Sequence, residues 1–207
     1  MKTLFSKSMV TYAALCLALV GSALAAPAWA LDVSEVSYAP QKQAGAAKLV
    51  LNGAGVRRMG DKDLYTAALY LEQKTTVPGV VIADKGAKQL VVTLLRDVNS
   101  RQISELLARG LTSNSSDDEL VEIIPEIMDL GSLIAKQGKL KAGDSFQIDW
   151  NATGGTTITI TVRERSQPKP TVEVFAKPDL ISAMMRIWLG ARPADEKLKS
   201  ALLGQGA

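Results

Sequence analysis

The strongest constraint on the fold is a period-two pattern between residues 145 and 162. Phe146, Ile148 and Trp150 alternate with polar residues, and after a pair of glycines the segment TTITITV alternates in the same way. Successive side chains of a β-strand point to opposite faces, so each half presents one apolar and one polar face. Two such halves joined by glycines predict an antiparallel hairpin with one buried face.

Three earlier segments also have strand character. Lys48–Met59 (KLVLNGAGVRRM) contains two glycines, which indicate a bulge or a close approach of another backbone. Leu64–Glu72 (LYTAALYLE) alternates, so that Tyr65 lies on one face and Thr66 on the other. The short polar link between these two segments suits a hairpin turn. Gln89–Asp97 is apolar enough to be a central strand.

Helical periodicity follows these strands. Apolar residues recur at helical spacing from Ile103 to Leu111, and Gly110 is expected to weaken the end of that helix. Ser116–Glu119 has the pattern of a capping box that begins the next helix. Pro125 should kink or restart it, because proline removes an amide donor and clashes with the previous turn.

The end of the chain is helical as well. A helix whose apolar face includes Trp188 is expected to end at Gly190, and another to run from Pro193 to near Gly204. The resulting order of elements is strands, helices, strands, helices. That order predicts an α+β fold in which helices cover one face of an antiparallel sheet. We expect one domain over residues 31–207.

The N-terminal segment, Met1–Ala30, has the pattern of a cleaved Sec-type signal peptide. Lys2 and Lys7 flank the start of an uncharged apolar stretch, and Ala28-Trp29-Ala30 supplies the small residues of a cleavage site. A cut after Ala25 is the second candidate, and an uncleaved anchor is the alternative. The apolar stretch is shorter than the roughly 20 residues of a membrane span. We therefore expect a periplasmic protein without a stable span after cleavage.

Composition excludes several kinds of site. The only cysteine, Cys16, lies in the expected leader, and the chain of 207 residues contains no histidine. The mature protein would then have no disulfide, thiolate nucleophile or cysteine metal site. Ser-His catalysis and histidine-ligated zinc are excluded too. No pair of carboxylates is spaced for acid-base work. We predict neither a metal nor a cofactor.

Charge argues against nucleic acid as a partner. The chain has 24 basic and 21 acidic residues, and Lys2 and Lys7 belong to the leader, so the mature protein is nearly neutral. A nucleic-acid-binding domain usually has a basic excess or stripe. The sequence does not predict an oligomeric state.

The segment LNGAGVRRM is not a nucleotide-binding loop. A dinucleotide fingerprint has a third glycine and leads into a helix, whereas Arg58 occupies that position and another strand follows. Strand alternation places Arg57 and Arg58 on opposite faces. Either one arginine faces the interior, where it requires an acid or a set of carbonyls, or both are solvated or paired with Asp61 and Asp63.

Three segments resemble the chalcone isomerase-like proteins of bacteria, a secreted branch of the chalcone isomerase superfamily. They are LNGAGVRRM with LYTAALYLE, the segment KAGDSFQIDW, and the C-terminal RIWLGARPADEKLKSALLG. The resemblance extends over about residues 47–204. It implies an open-faced β-sandwich, in which a large antiparallel sheet lies under a layer of helices with a ligand cleft between them.

The resemblance also implies a role for Arg57. In the superfamily the arginine of this strand faces the cleft. It positions a substrate phenolate in the plant enzymes and meets the ligand carboxylate in fatty-acid-binding relatives. Tyr65 stands where the enzymes have a catalytic threonine, and Thr66 should point to the other face. The helices after Asp97 contain no convincing counterpart of the enzymes' catalytic tyrosine and asparagine pair. Asn99 and Gln102 lie nearby, but nothing fixes their register, so we assign no catalytic residue.

Two main functions remain open from the sequence. The first is binding of a small amphipathic carboxylate or fatty acid, with Arg57 and Tyr65 as ligand-binding residues. The second is an intramolecular lyase (isomerase) that acts on chalcone-like enone phenols, since this chemistry needs little beyond orientation and stabilisation of an anion. An envelope interaction module with a filled cleft is a third possibility. The sequence favours binding, because the arginine is retained and the catalytic strand is altered.

Overall fold

The computed structural model describes residues 30–151, 155–162 and 170–205. The expected leader, apart from Ala30, and Gly154 of the predicted hairpin turn lie outside these ranges. The strands are β1 (Leu31–Val33), β2 (Val36–Tyr38), β3 (Gln41–Ala44), β4 (Ala47–Met59), β5 (Lys62–Leu71), β6 (Lys88–Leu94), β7 (Val98–Asn99), β8 (Lys139–Leu140), β9 (Ser145–Trp150), β10 (Thr156–Thr161) and β11 (Thr171–Phe175). The helices are α1 (Pro78–Ala83), α2 (Ser100–Asn114), α3 (Asp117–Glu122), α4 (Ile124–Ala135), α5 (Pro178–Leu189) and α6 (Glu196–Leu202).

A seven-stranded antiparallel sheet forms the centre of the structure, in the order β11-β10-β9-β6-β5-β4-β3. The predicted hairpin is β9 and β10, with Ile148 opposite Ile158. The hairpin of β4 and β5 is also present, and its turn lies at Gly60 and Asp61. The predicted α+β class and antiparallel sheet are therefore confirmed. Within the described ranges, no helix is long and apolar enough to cross a membrane.

The two faces of the sheet are covered differently. On the inner face, Tyr65, Ala67 and Leu69 of β5 belong to a core that includes the buried side of α5. On the outer face, Tyr38 of the β1–β2 hairpin packs over β5, and its hydroxyl lies 2.6 Å from the hydroxyl of Thr66. The alternation predicted for β5 is correct, but both of its faces are buried.

The glycines of β4 allow α6 to pack directly on the strand. Gly53 and Gly55 pair with Leu69 and Ala67, so both lie on the inner face. A Cβ added at Gly53 would stand 2.0 Å from the carbonyl oxygen of Ala201, and one at Gly55 would stand 2.6 Å from the Cβ of that residue. These positions therefore have no room for a side chain. The predicted close backbone approach is correct, and the approaching backbone is that of α6.

The predicted bulge is also present, and it stabilises the contact between β4 and α6. The β4–β5 register shifts between Leu51 and Gly53, which frees Asn52 from regular pairing. The Asn52 side chain donates to the carbonyl of Leu202 at 2.7 Å and accepts from the backbone of Thr75 at 2.8 Å. This buried amide satisfies a carbonyl at the end of α6, a group that has no partner within its own helix.

Two details of the helices differ from the sequence prediction. Gly110 does not weaken α2, which continues to Asn114. A Cβ at Gly110 would stand 2.7 Å from Ile187, so the glycine allows α5 to pack closely on α2. The last helix begins at Glu196 rather than Pro193, because the Asp195 side chain caps it by accepting from Leu198 N.

The region between Leu31 and Ala46 forms three short strands, β1, β2 and β3. The bounds of β6 also differ from the prediction. Strand β6 ends at Leu94, before Asp97. Asp97 instead pairs with Lys139 at 3.0 Å and accepts from Ala142 N. Its carboxylate thus links the loop after β6 to the residues around β8.

We predict that Gly53→Ala destabilises the protein by about 3 kcal/mol or more, since its methyl group would overlap the α6 backbone. Gly131→Ala is the matched control. Its Cβ meets nothing within 4 Å, and alanine favours the interior of a helix such as α4, so this change should stabilise by about 0.5–1 kcal/mol. Urea unfolding followed by circular dichroism measures both. Equal stability of the Gly53 variant and wild type would contradict the proposed packing.

Candidate functional site

An apolar cavity of about 100 Å³ lies between the sheet and the helices. The side chains that line it come from β4, β5, β6, β9, β10, α2, α4 and α5. They are Arg57, Leu64, Tyr65, Val92, Leu94, Val98, Ile103, Leu106, Leu107, Leu130, Ile134, Phe146, Ile148, Ile158, Met184, Ile187 and Trp188. Among the described residues, Arg57 is the one charged residue in this lining. The cavity thus combines an apolar body with a single cationic end.

Strand pairing places Arg57 on this inner face. Arg57 pairs with Tyr65 across the β4–β5 ladder, and paired residues project to the same side of a sheet. The register shifts directly after Arg57, so that Arg58 pairs with Asp63 instead. The side chain of Arg58 is 61% exposed, and its Nε lies 2.8 Å from the Asp63 carboxylate. The two arginines therefore differ as predicted: Arg57 faces the cavity and Arg58 faces solvent.

The Arg57 guanidinium is incompletely paired. Its Cζ lies 5.5 Å from the centre of the Tyr65 ring, a favourable cation–π distance. Its Nη1 donates to the Tyr65 hydroxyl at 3.4 Å, longer than a normal N–H···O bond. Its Nε is buried without a hydrogen-bond partner in the described residues. A buried donor without an acceptor costs about 1–3 kcal/mol, and more when charged.

The Tyr65 hydroxyl accepts hydrogen bonds but donates none within the described residues. It accepts from the indole Nε1 of Trp188 at 2.9 Å and from Arg57 at 3.4 Å. Tryptophan and arginine have donors only. No carbonyl or carboxylate of residues 30–151, 155–162 and 170–205 takes the phenolic hydrogen. Together, Arg57 Nε and Tyr65 Oη provide two hydrogen-bond donors without protein acceptors.

The phenol of Tyr65 is held in its neutral form. Burial raises its pKa above the ordinary value, and Asp195 adds to this, while Arg57 and the hydrogen bond from Trp188 act in the opposite direction. Desolvation is the largest of these effects because it disfavours the phenolate. Tyr65 therefore remains a hydrogen-bond donor at neutral pH. The cationic end of the cavity therefore offers the charged Nε–H of Arg57 and the neutral O–H of Tyr65.

The other polar candidates are used for local structure. Asn99 and Gln102 form the capping box of α2, each accepting from the backbone N–H of the other. Thr66 lies on the outer face, as expected from alternation, and bonds to Tyr38. Ser116 and Glu119 form the predicted capping box of α3. None of these four side chains lines the cavity.

Two larger grooves lie elsewhere on the surface. One of about 460 Å³ lies between α3 and α5, and one of about 470 Å³ lies beside α1. Glu119 of the first groove is already paired with Arg186 at 3.2 Å. These grooves lack an apolar body that leads to converging polar groups, which is the usual form of a ligand site. The smaller cavity at Arg57 is the better candidate.

Sequence reasoning missed one residue of the site. Trp188 was placed on the apolar face of its helix, and it is indeed buried there. Its indole N–H, however, holds the Tyr65 oxygen. The signal for such a role is general: a buried tryptophan usually finds an acceptor for its N–H. Nothing in the sequence pattern identifies that acceptor as Tyr65.

Comparison with known proteins agrees with this architecture. The profile of the family described as chalcone isomerase-like matches residues 30–204. The chain belongs to the chalcone isomerase-like family. No curated protein sequence is significantly similar to it.

A solved structure shows the same fold. The crystal structure of a fatty-acid binding protein from Arabidopsis thaliana superposes with a TM-score of 0.57 at 12% sequence identity. The match covers 82% of this chain and 92% of the plant protein. At this identity the similarity establishes the fold. The open-faced β-sandwich of the chalcone isomerase type is confirmed.

Proposed function

We propose that this protein is a non-catalytic binding protein for a small amphipathic carboxylate or fatty acid. Arg57 and Tyr65 bind the acid head, and the apolar lining of the cavity holds the tail. The observation that carries this function is a pair of donors, Arg57 Nε–H and Tyr65 Oη–H, that have no acceptor among the residues the structure describes. A carboxylate has two oxygens that only accept, so it complements both donors.

The fold comparison supports the same function. The similar plant structure is that of a fatty-acid binding protein, and members of one fold can retain a cleft while its ligand changes. Fold alone does not decide a ligand. The choice of a carboxylate therefore rests on the charge of Arg57 and on the donors that surround it.

The size of the cavity limits the ligand. At about 100 Å³ it is smaller than a 150 Å³ cavity that binds benzene and smaller than the 300–1,000 Å³ of most drug-sized ligand sites. The cavity as it stands matches a short-chain acid. A longer tail requires the helical wall formed by α2 and α4 to move away from the sheet.

The size also ranks binding of a short-chain acid above the lyase alternative, because such an acid matches the cavity as it stands. A two-ring chalcone exceeds the cavity, and in the described residues Arg57, Tyr65 and Trp188 supply all of its polar side-chain groups. Asn99 and Gln102 are committed to the cap of α2. Wild-type protein that bleaches a chalcone above the buffer rate, with the activity lost in Arg57→Met, would reverse this ranking.

We predict that Arg57→Met weakens carboxylate binding at least tenfold. Charge-assisted hydrogen bonds contribute about 1.5–3 kcal/mol each, and methionine retains the apolar stem without the charge. Arg58→Met is the matched control and should bind as wild type, because Arg58 is exposed and paired with Asp63. Calorimetric titration with saturated acids from butyrate to palmitate measures the effect, together with mass spectrometry of ligand released from gently purified wild type.

Two results would contradict the proposed function. One is the absence of binding by wild type to every acid of the series. The other is equal affinity of wild type and Arg57→Met for the best acid. The comparison is not limited by folding, since methionine keeps the apolar stem. The change removes a buried Nε–H that has no partner in the described residues, and with it only one long bond and one ring contact to Tyr65.

We also predict that the helical wall sets the preferred tail length. Affinity should rise by about 0.8 kcal/mol for each buried methylene until the cavity is full. Leu107→Ala in α2 enlarges the cavity, so the best-bound acid should become longer. Met128→Ala in α4 is the control, because Met128 is 68% exposed and lies outside the lining. An unchanged chain-length optimum in the Leu107 variant would show that the tail lies elsewhere.

The proposed location is the periplasm. The basic start, apolar stretch and Ala28-Trp29-Ala30 segment of the sequence support export through the Sec pathway and cleavage by signal peptidase. Expression of the full chain in a bacterium, followed by N-terminal sequencing of the periplasmic fraction, should give a chain that begins at Leu31. Recovery of uncleaved protein in the cytoplasm would contradict this location.

A further inference from the structure

The segment Ile187-Trp188-Leu189-Gly190 belongs to the C-terminal stretch that carries the family resemblance, yet the proposed function gives it no role beyond packing. Ile187 and Trp188 both line the cavity, and Trp188 is the one of the two that has a polar group. Its Nε1 lies 2.9 Å from the Tyr65 hydroxyl oxygen, a normal hydrogen-bond distance, whereas the bond from Arg57 to the same oxygen is 3.4 Å long. The indole is therefore the stronger of the two donors to this oxygen.

The direction of these bonds decides what the site can recognise. A free phenol can accept from a ligand or donate to it. Here the Tyr65 oxygen already accepts from two groups that can only donate, so its remaining capacity is to donate its hydrogen. Arg57 Nε also has only a donor to offer. A ligand head that accepts at every polar atom satisfies the site.

We infer that Trp188 is a specificity-determining residue that acts through Tyr65: its indole N–H occupies the tyrosine oxygen and makes the cavity select ionised carboxylates over alcohols of equal length. This inference rests on the proposed function and specifies which ligand head group the site prefers. An alcohol would bring an O–H group toward a set of donors and leave its own hydrogen without an acceptor. A buried unpaired donor is costly, so the alcohol is disfavoured.

The structure offers a matched control for the indole N–H. Trp150 is also buried, at 2% exposure, but its Nε1 has no hydrogen-bond partner in the described residues and it does not line the cavity. Trp150→Phe removes the same atoms from the same core without touching Tyr65. Trp188→Phe keeps an aromatic ring in the helix and removes the donor.

Calorimetric titration of the full chain with hexanoate and with 1-hexanol tests the inference. Wild type should prefer hexanoate. Trp188→Phe should lose about three- to tenfold in hexanoate affinity, the range of one net hydrogen bond, with no loss for hexanol. Trp150→Phe should keep the wild-type preference. Tyr65→Phe combined with Trp188→Phe should be no weaker than Tyr65→Phe alone, because the tryptophan acts through the phenol.

The inference is overturned if Trp188→Phe lowers the affinities for hexanoate and for 1-hexanol by the same factor. It is overturned as well if the losses of hexanoate affinity in Tyr65→Phe and in Trp188→Phe multiply in the double variant. It is also overturned if Trp188→Phe equals wild type. Wild type that binds no acid of the butyrate-to-palmitate series would instead refute the proposed function itself. The two failures are thus distinguishable.

A measurement that does not require the Trp188 variant to fold complements the titration. In ¹⁵N-indole spectra, with Trp29→Phe and Trp150→Phe used for assignment, Tyr65→Phe should move the Nε1–H signal of Trp188 and leave that of Trp150 in place. A Trp188 signal that does not move on loss of the Tyr65 hydroxyl would overturn the inference.

Discussion

The absence of side chains at Gly53 and Gly55 lets the backbone of α6 lie directly on β4. A methyl group at either position would overlap Ala201. Because the inner side chains of a strand recur at every second residue, Arg57 is the next inner position after these two glycines. Gly53, Gly55 and Arg57 therefore lie in line on the inner face of β4. The two glycines pack against α6, and Arg57 places its cation in the cavity.

The same contact fixes the end of β4 on which the site depends. Asp195 caps α6 through Leu198 N and also accepts from the backbone N–H of Arg58 at 3.1 Å. The start of the helix is thus tied to the strand at the point where the ladder shifts register. That shift gives Arg58 a partner in Asp63 and leaves Arg57 opposite Tyr65. The packing of α6, its cap and the register shift together place two adjacent arginines in different environments, Arg57 at the cavity and Arg58 at the surface.

Strand alternation and caps could be read from the sequence because they depend on neighbours along the chain. The β9–β10 hairpin, the faces of β5 and the capping box at Ser116 are all local patterns. The remaining features depend on distant residues. Asn52 donates a hydrogen bond to the carbonyl of Leu202, and Gly110 packs closely against Ile187. The residues that surround Asn52 and Gly110 in the sequence indicate neither of these contacts. The assignment of Arg57 to the interior needed the family resemblance for the same reason.

The polarity of the site follows from a general asymmetry between donors and acceptors. Arginine and tryptophan cannot accept hydrogen bonds, so a tyrosine between them must turn its hydrogen elsewhere. Burial keeps that hydrogen in place by raising the pKa of Tyr65. Among the residues that the structure describes, the Nε–H of Arg57 and the O–H of Tyr65 consequently have no acceptor, an arrangement that costs stability. Under the proposed function, a carboxylate would supply the missing acceptors and stabilise the folded protein as it binds, so the unpaired donors would favour an anion over a ligand that also donates.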